Sequence, residues 1–114
     1  MITKNIFKNV KEALRAMKSG WHSGKGFKSL RHNNYHKAIE HLEIALEYSN
    51  NAIEPVIYDN MSMAYYGLSQ ETKAMKLAEK SIRQYLLTDE IDERINRRIK
   101  CLQGMIITIK NNNK

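Results

Sequence analysis

Apolar residues recur every three or four positions over most of the chain, a spacing typical of amphipathic helices. The first such stripe follows a predicted helix over residues 1–20 and consists of Ile2, Ile6, Val10, Leu14, Met17 and Trp21. Glycines weaken the pattern over residues 19–26, because glycine is a poor helix former. That segment is predicted to be either a loop or the first turn of the next helix.

Two consecutive asparagines mark a break between helices. Asn33 is predicted to close one helix in the left-handed conformation, which asparagine tolerates better than most residues. Asn34 is predicted to cap the following helix, which runs to about Tyr48, by accepting hydrogen bonds from its first N–H groups.

Three further helices are predicted in the second half of the chain. One begins at Pro55, since proline suits a first helical turn, and the next runs from residues 69–70 to about residue 86. Thr88 is predicted to cap the last helix, whose apolar stripe is Ile91, Ile95, Ile99, Leu102 and Ile106. Residues 111–114 are expected to form a frayed tail.

Small residues on the helix after Asn34 return 36 residues later. Ala38 and Ala45 in the first unit correspond to Ala74 and Ser81 in the second. Small residues let neighbouring helices approach closely, and a unit repeated at about 34 residues is typical of stacked helical hairpins. The pattern therefore favours a binding scaffold over an enzyme.

The two units resemble the tetratricopeptide repeat (TPR), in which each repeat is a pair of antiparallel helices. The resemblance rests on Tyr35, Ala38, Ile39, Leu42, Ala45 and Leu46 in the first unit and on Tyr58, Met61, Ser62, Tyr65, Leu68, Ala74, Ala78, Ser81 and Ile82 in the second. It implies an all-α fold, a right-handed superhelical stack of antiparallel helix hairpins with about five or six helices. The single domain would comprise a basic amphipathic helix (1–20), a first repeat (21–50), a second repeat (53–87), a capping helix (88–110) and the tail (111–114).

In this family the first helix of each pair lines a concave groove that binds a peptide. The resemblance places in that groove Phe27, Arg31, Asp59, Met63, Tyr66, Arg94, Arg97 and Lys100. The basic members would offer charge-assisted hydrogen bonds to a carboxylate. The family's carboxylate clamp is not predicted, because Ser23 and Asp59 stand where two of its Lys and Asn residues would be expected. The alternative interpretation is a solvated helix face.

The formal charge of +7 is concentrated near the N-terminus. Residues 1–31 carry eight Lys and Arg against Glu12 alone, whereas the charges of residues 32–114 balance. A basic segment of this kind suits an acidic protein, a nucleic acid or an anionic membrane surface. Three interpretations of the first helix stay open: a packed helix with a lysine-rich outer face, a membrane-surface helix, and a contact for nucleic acid or an acidic protein.

Residues with catalytic or metal-binding chemistry form no recognisable motif. His32, His36 and His41 cluster near Glu40, but zinc needs three or four converging ligands and a helix break separates the first from the others, so surface histidines are expected. The single cysteine, Cys101, is expected to be a partly buried structural thiol. We expect no metal, cofactor or catalytic residue.

The sequence thus favours a non-catalytic protein-interaction module that binds a peptide or protein segment in the groove, as an adaptor, assembly or chaperone-like protein. One alternative is a homodimer that forms through exposed helix faces. Another is electrostatic binding of nucleic acid or an anionic membrane through residues 1–31. No apolar run approaches a membrane span and no signal peptide is recognisable, so a reducing cytoplasm is the expected location.

Overall fold

A computed structural model describes residues 2–113 of the chain as five α-helices. They are α1 (Ile2–Arg31), α2 (Tyr35–Glu47), α3 (Glu54–Gly67), α4 (Glu71–Leu86) and α5 (Glu93–Asn112). No strand occurs within these residues, so the predicted all-α class is confirmed, with five helices. Met1 and Lys114, which belong to the predicted first helix and tail, and the side chain of Ile2 lie outside the description.

The first helix continues through the glycine-rich segment, so the predicted break over residues 19–26 is wrong. The reason is packing against α2. The Ser19 hydroxyl donates a 2.7 Å hydrogen bond to the carbonyl of Ala45, and both residues are fully buried. Gly26 lies so close to Leu42 that an added Cβ would stand 2.7 Å from its Cγ. These contacts outweigh the weak helix propensity of glycine, which tertiary context commonly overrides.

The two turns inside the hairpins have the same conformation at a separation of 36 residues. Asn33 and Ser69 both adopt left-handed backbone angles, with φ of 59° and 60°. The next residue, Asn34 or Gln70, donates a backbone hydrogen bond to the carbonyl of the residue five positions earlier, at 2.8 Å in the first turn and 2.9 Å in the second. The left-handed prediction for Asn33 is confirmed, but the Asn34 side chain makes no capping hydrogen bond.

The 36-residue relation also holds inside the hairpins. The pair Ser19 and Ala45 in the first hairpin corresponds to the pair Pro55 and Ser81 in the second. In each pair the buried serine hydroxyl donates a 2.7 Å hydrogen bond to the backbone carbonyl of the other residue. The serine lies on the first helix in one hairpin and on the second helix in the other. Both hairpins therefore close their helices at the same point, so the repeat seen in the sequence is also a repeat of contacts.

The core lies where the two hairpins meet, between α2, α3 and α4. Its central side chains include Ala38, Leu42, Ile57 and Ala64, all fully buried. The end of α5 reaches this core through Ile109, while Leu102 packs on α4 in a second cluster. The last helix thus packs on the second hairpin.

The last helix begins later than predicted. Asp92, not Thr88, is its N-cap, because the Asp92 carboxylate accepts a 2.9 Å hydrogen bond from the N–H of Ile95. That hydrogen bond lowers the pKa of Asp92. Ile91 precedes the helix and is exposed, so it does not join the stripe. At the other end, α5 extends to Asn112, so the predicted tail is helical at residues 111–112.

Replacing Ser69 by glycine is expected to stabilise the protein by about 0.5–1 kcal/mol, because left-handed angles strain a residue that carries a Cβ. Asn33→Gly is the matched control and should gain less, since asparagine tolerates the same angles better. Urea unfolding followed by circular dichroism measures both. An equal gain at the two positions, or a loss at Ser69, would contradict this explanation of the turns.

Candidate peptide-binding groove

A groove of about 990 Å³ lies between α1, α3 and α5. One wall is formed by α1 and another by α5, while α3 runs along the base. It is lined by Ser23, Gly24, Phe27, Leu30, Ala52, Pro55, Val56, Asp59, Asn60, Met63, Tyr85, Thr88, Arg94, Ile95, Arg97, Arg98 and Cys101. Most of the lining is apolar, and its charged residues are one acidic and three basic side chains.

The first helices of the two hairpins contribute corresponding residues to this groove. Phe27 and Met63 are 36 residues apart, as are Ser23 and Asp59, and all four line the cavity. Because the two hairpins repeat the same contacts, equivalent faces of α1 and α3 turn towards the same space. The groove is therefore a consequence of the repeat.

A buried ion pair fixes the wall between α3 and α5. Asp59 is only 2% exposed, and its carboxylate accepts hydrogen bonds from Arg98 Nε at 2.9 Å and from Nη2 at 2.7 Å. The hydroxyl of Tyr85 on α4 also donates to Asp59, at 2.9 Å. The bidentate contact raises the pKa of Arg98, and burial, followed by the nearby Asp59 charge, raises that of Tyr85. Asp59 of α3 is thus bonded to both Tyr85 of α4 and Arg98 of α5, and these contacts hold the three helices together.

Two arginines at the start of α5 give the rim its positive charge. The nearest acidic groups are Asp92 for Arg94 and Glu93 for Arg97, each at 3.6 Å between charged atoms. All four side chains are substantially exposed, and such long surface pairs contribute little because water screens them. Both guanidinium groups can therefore exchange these partners for a ligand carboxylate at small cost.

The structure gathers five of the eight predicted groove residues around this cavity. They are Phe27, Asp59, Met63, Arg94 and Arg97, while Arg31, Tyr66 and Lys100 lie outside its lining. Asp59 differs from expectation in being paired with Arg98, so its carboxylate holds the wall of the groove together. The guanidinium of Arg31 lies 6.0 Å from the centre of the Phe27 ring, beside the cavity.

The pairing of Arg98 with Asp59 was not predicted from the sequence. A signal was present, because Arg98 lies three residues after Ile95 and four before Leu102, on the apolar stripe of α5. A charged residue on a core-facing stripe requires a buried partner. The interpretation of Cys101 as partly buried is also wrong, since its side chain is exposed at the groove.

Two of the four histidines, His22 and His41, lie close together, which was not predicted from the sequence. His22 and His41 approach to 3.1 Å between their Nδ1 atoms, across the first hairpin. Burial, then the neighbouring His41 and Lys18, lowers the pKa of His22.

Residues 2–113 contain no group of three or more His, Cys, Asp or Glu placed to hold a metal. In the same part of the chain, no helix is both long and apolar enough to cross a membrane.

Comparisons with known proteins do not extend the resemblance to the tetratricopeptide repeat. No protein-family model, curated protein or solved structure matches the chain. The family assignment therefore stays a prediction, carried by the repeated residues and by the contacts described above.

Proposed function

We propose that this chain is a TPR-like protein-interaction module that binds a peptide segment of a partner protein in the groove between α1, α3 and α5. Its hairpins would form the right-handed stack of that family, and its role would be non-catalytic, as an adaptor or assembly factor. The observation that carries the proposal is the pairing of Phe27 with Met63 and of Ser23 with Asp59, 36 residues apart, along one cavity. Repeated helices that present equivalent positions to one space form an extended binding surface.

The chemistry of the lining favours a peptide with both apolar and acidic side chains. Phe27, Val56 and Met63 offer apolar contacts in the groove, and a methionine adapts to ligands of different shape. Arg94 and Arg97 supply two exposed guanidinium groups that can each bind a carboxylate through two parallel hydrogen bonds. Asp59 does not repel an acidic ligand strongly, because Arg98 neutralises it.

Selection from a random peptide library displayed on phage tests this proposal. Enriched peptides are expected to combine large apolar residues with Asp or Glu. In fluorescence anisotropy titrations, the double variant Arg94→Glu/Arg97→Glu should bind a selected peptide at least tenfold more weakly, since it replaces two attractive charges with two repulsive ones. Acidic side chains near the start of α5 suit the helix dipole, so the variant should fold normally.

The matched control is Lys76→Glu/Lys100→Glu, which makes the same change in net charge at two exposed positions outside the groove lining. Its affinity should stay within about threefold of the wild-type value, since isolated surface charges contribute little at a distance. Equal losses of peptide affinity in the two variants would show that the effect comes from net charge and not from the groove arginines. Failure to enrich any groove-dependent peptide would contradict the proposal.

A further inference from the structure

Between Ile6 and Trp21, α1 carries a stripe of large apolar side chains that the described chain leaves exposed. Its members are Ile6, Phe7, Val10, Leu14, Met17 and Trp21, all of them exposed. Met17, for example, is 69% exposed. Every described side chain from Thr3 to Arg15 is exposed as well. Arg15 donates a hydrogen bond to the Glu47 carbonyl at the end of α2, so the part of the helix before Arg15 extends beyond α2. The overhang contributes to a long molecule, 60 Å on its longest axis.

The stripe faces away from the body of the protein. Ser19 and Gly26 mark the side of α1 that packs on α2. At about 100° per residue, the axis through Val10, Met17 and Trp21 lies on roughly the opposite side of the helix. A flat surface can therefore reach the stripe from Ile6 to Met17 without meeting α2 or any later helix. The Trp21 ring, at the end of the stripe, is also exposed but lies 6.3 Å from the His41 ring of α2 between centroids.

Lysines follow one edge of the stripe at regular intervals. Lys4, Lys11, Lys18 and Lys25 recur every seven residues, and the last three follow Phe7, Leu14 and Trp21 by four positions. The Nζ atom of Lys25 lies 5.1 Å from the centre of the Trp21 ring, which places it directly beside the stripe. Glu12 is the sole acidic residue in the first 31, against eight Lys and Arg, so the segment keeps a large excess of positive charge.

We propose that α1 docks through this stripe onto an anionic lipid surface. A helix with a narrow apolar face, lysines beside it and aromatic residues on it lies in the interface of such a membrane, with its apolar face among the acyl chains. The lysine stems can lie along the apolar boundary while their ammonium groups reach the headgroups. The helical body, on the opposite side of α1, then stands above the lipid with its groove accessible.

The lysine edge argues against a second copy of the chain as the occupant. In an antiparallel pairing of two stripes, the edges with Lys4, Lys11 and Lys18 would face each other and repel. A parallel pairing would set these lysines against Ile6, Ala13 and Gly20, which offer no opposite charge. A nucleic acid would satisfy the lysines but would leave the aliphatic stripe in water.

Binding to vesicles tests the proposal, and Trp21 is the only tryptophan and thus a direct reporter. With vesicles of phosphatidylcholine plus phosphatidylserine, we expect co-sedimentation and a blue shift of Trp21 emission. Pure phosphatidylcholine should give much less, and added salt should weaken binding. Leu14→Glu/Met17→Glu should weaken it at least tenfold, because two apolar anchors are lost. Lys4→Gln/Lys11→Gln should cost about fivefold per lysine.

Matched controls exist for both variants. Leu87→Glu/Ile107→Glu alters two exposed apolar side chains elsewhere, the first of them 82% exposed, and should bind vesicles normally. Lys76→Gln/Lys110→Gln lowers the net charge equally and should also bind normally. The stripe residues are exposed, so their substitution should leave the fold and peptide binding in the groove intact, and the two proposals can fail separately.

Four results would overturn membrane docking. Equal binding to neutral and anionic vesicles would show that the lysines do not select an anionic surface. No binding to either kind of vesicle would show that α1 does not dock on lipid. A dimer in light scattering that becomes a monomer in Leu14→Glu/Met17→Glu would assign the stripe to a second copy. Salt-sensitive binding of an oligonucleotide without vesicle binding would assign the lysines to a nucleic acid.

Discussion

Replacement of Gly26 by a larger residue is expected to destabilise the protein strongly, although glycine lies inside a helix. An added Cβ would stand 2.7 Å and 2.9 Å from two carbons of Leu42 and 3.2 Å from the carbonyl oxygen of Ala38. Leu42 is fully buried and has little room to move. We expect Gly26→Ala to lower the free energy of unfolding by about 1–2 kcal/mol after the gain in helix propensity, and Gly26→Leu by about 3 kcal/mol or more.

Gly20 is the matched control within the same helix. Nothing lies within 4 Å of the Cβ that alanine would add there, so Gly20→Ala should stabilise the protein by about 0.5–1 kcal/mol. Urea unfolding of the two alanine variants should therefore give changes of opposite sign. Changes of the same sign would mean that the close approach of α1 to α2 is not what holds the first hairpin together.

Removal of the Arg98 charge is expected to have the second large effect. Arg98→Met leaves the Asp59 carboxylate buried, with Tyr85 as its remaining described hydrogen-bond partner. Breaking a fully buried ion pair by removing one partner costs about 3–5 kcal/mol. The Arg98 side chain is 39% exposed, so water moderates the loss. We expect the free energy of unfolding to fall by about 2–3 kcal/mol.

Arg97→Met, one residue earlier, provides the control. Its nearest acidic group lies 3.6 Å away on an exposed pair, so its loss should change stability by no more than about 0.5 kcal/mol. Adding Asp59→Asn to Arg98→Met should recover part of the loss, because a neutral amide is cheaper to bury than an unpaired carboxylate. Similar losses for the two arginines, or no recovery in the double variant, would contradict the role given to the ion pair.

The elements with strong local signals could be predicted from the sequence. Asn33 closes its helix with the left-handed backbone that asparagine tolerates, and the spacing of Ala38 and Ala74 gave the repeat that the turns reproduce. Local signals failed where packing decides. The glycines of α1 predict a break, but Ser19 and Gly26 pack on α2 and keep the helix continuous.

The groove was predicted only in part, for a similar reason. Phe27 and Met63 follow from the repeat, since each lies at the same place in its hairpin. The pairing of Asp59 with Arg98 does not follow from the repeat, because Arg98 is 39 residues away and its position depends on how α5 packs on the second hairpin. Thr88 was predicted to cap α5, but the cap is Asp92, because the place where α5 begins depends on how it packs on the second hairpin.

The most direct test of groove binding uses the exposed thiol of Cys101, the only cysteine and part of the groove lining. Its rate of reaction with a thiol reagent would be measured while a library-selected peptide is titrated, with the urea-unfolded chain as control. If the peptide lies between α1, α3 and α5, the rate should fall in proportion to the bound fraction, and the unfolded chain should show no protection. An unchanged rate at saturating peptide would place binding elsewhere and contradict the proposed function.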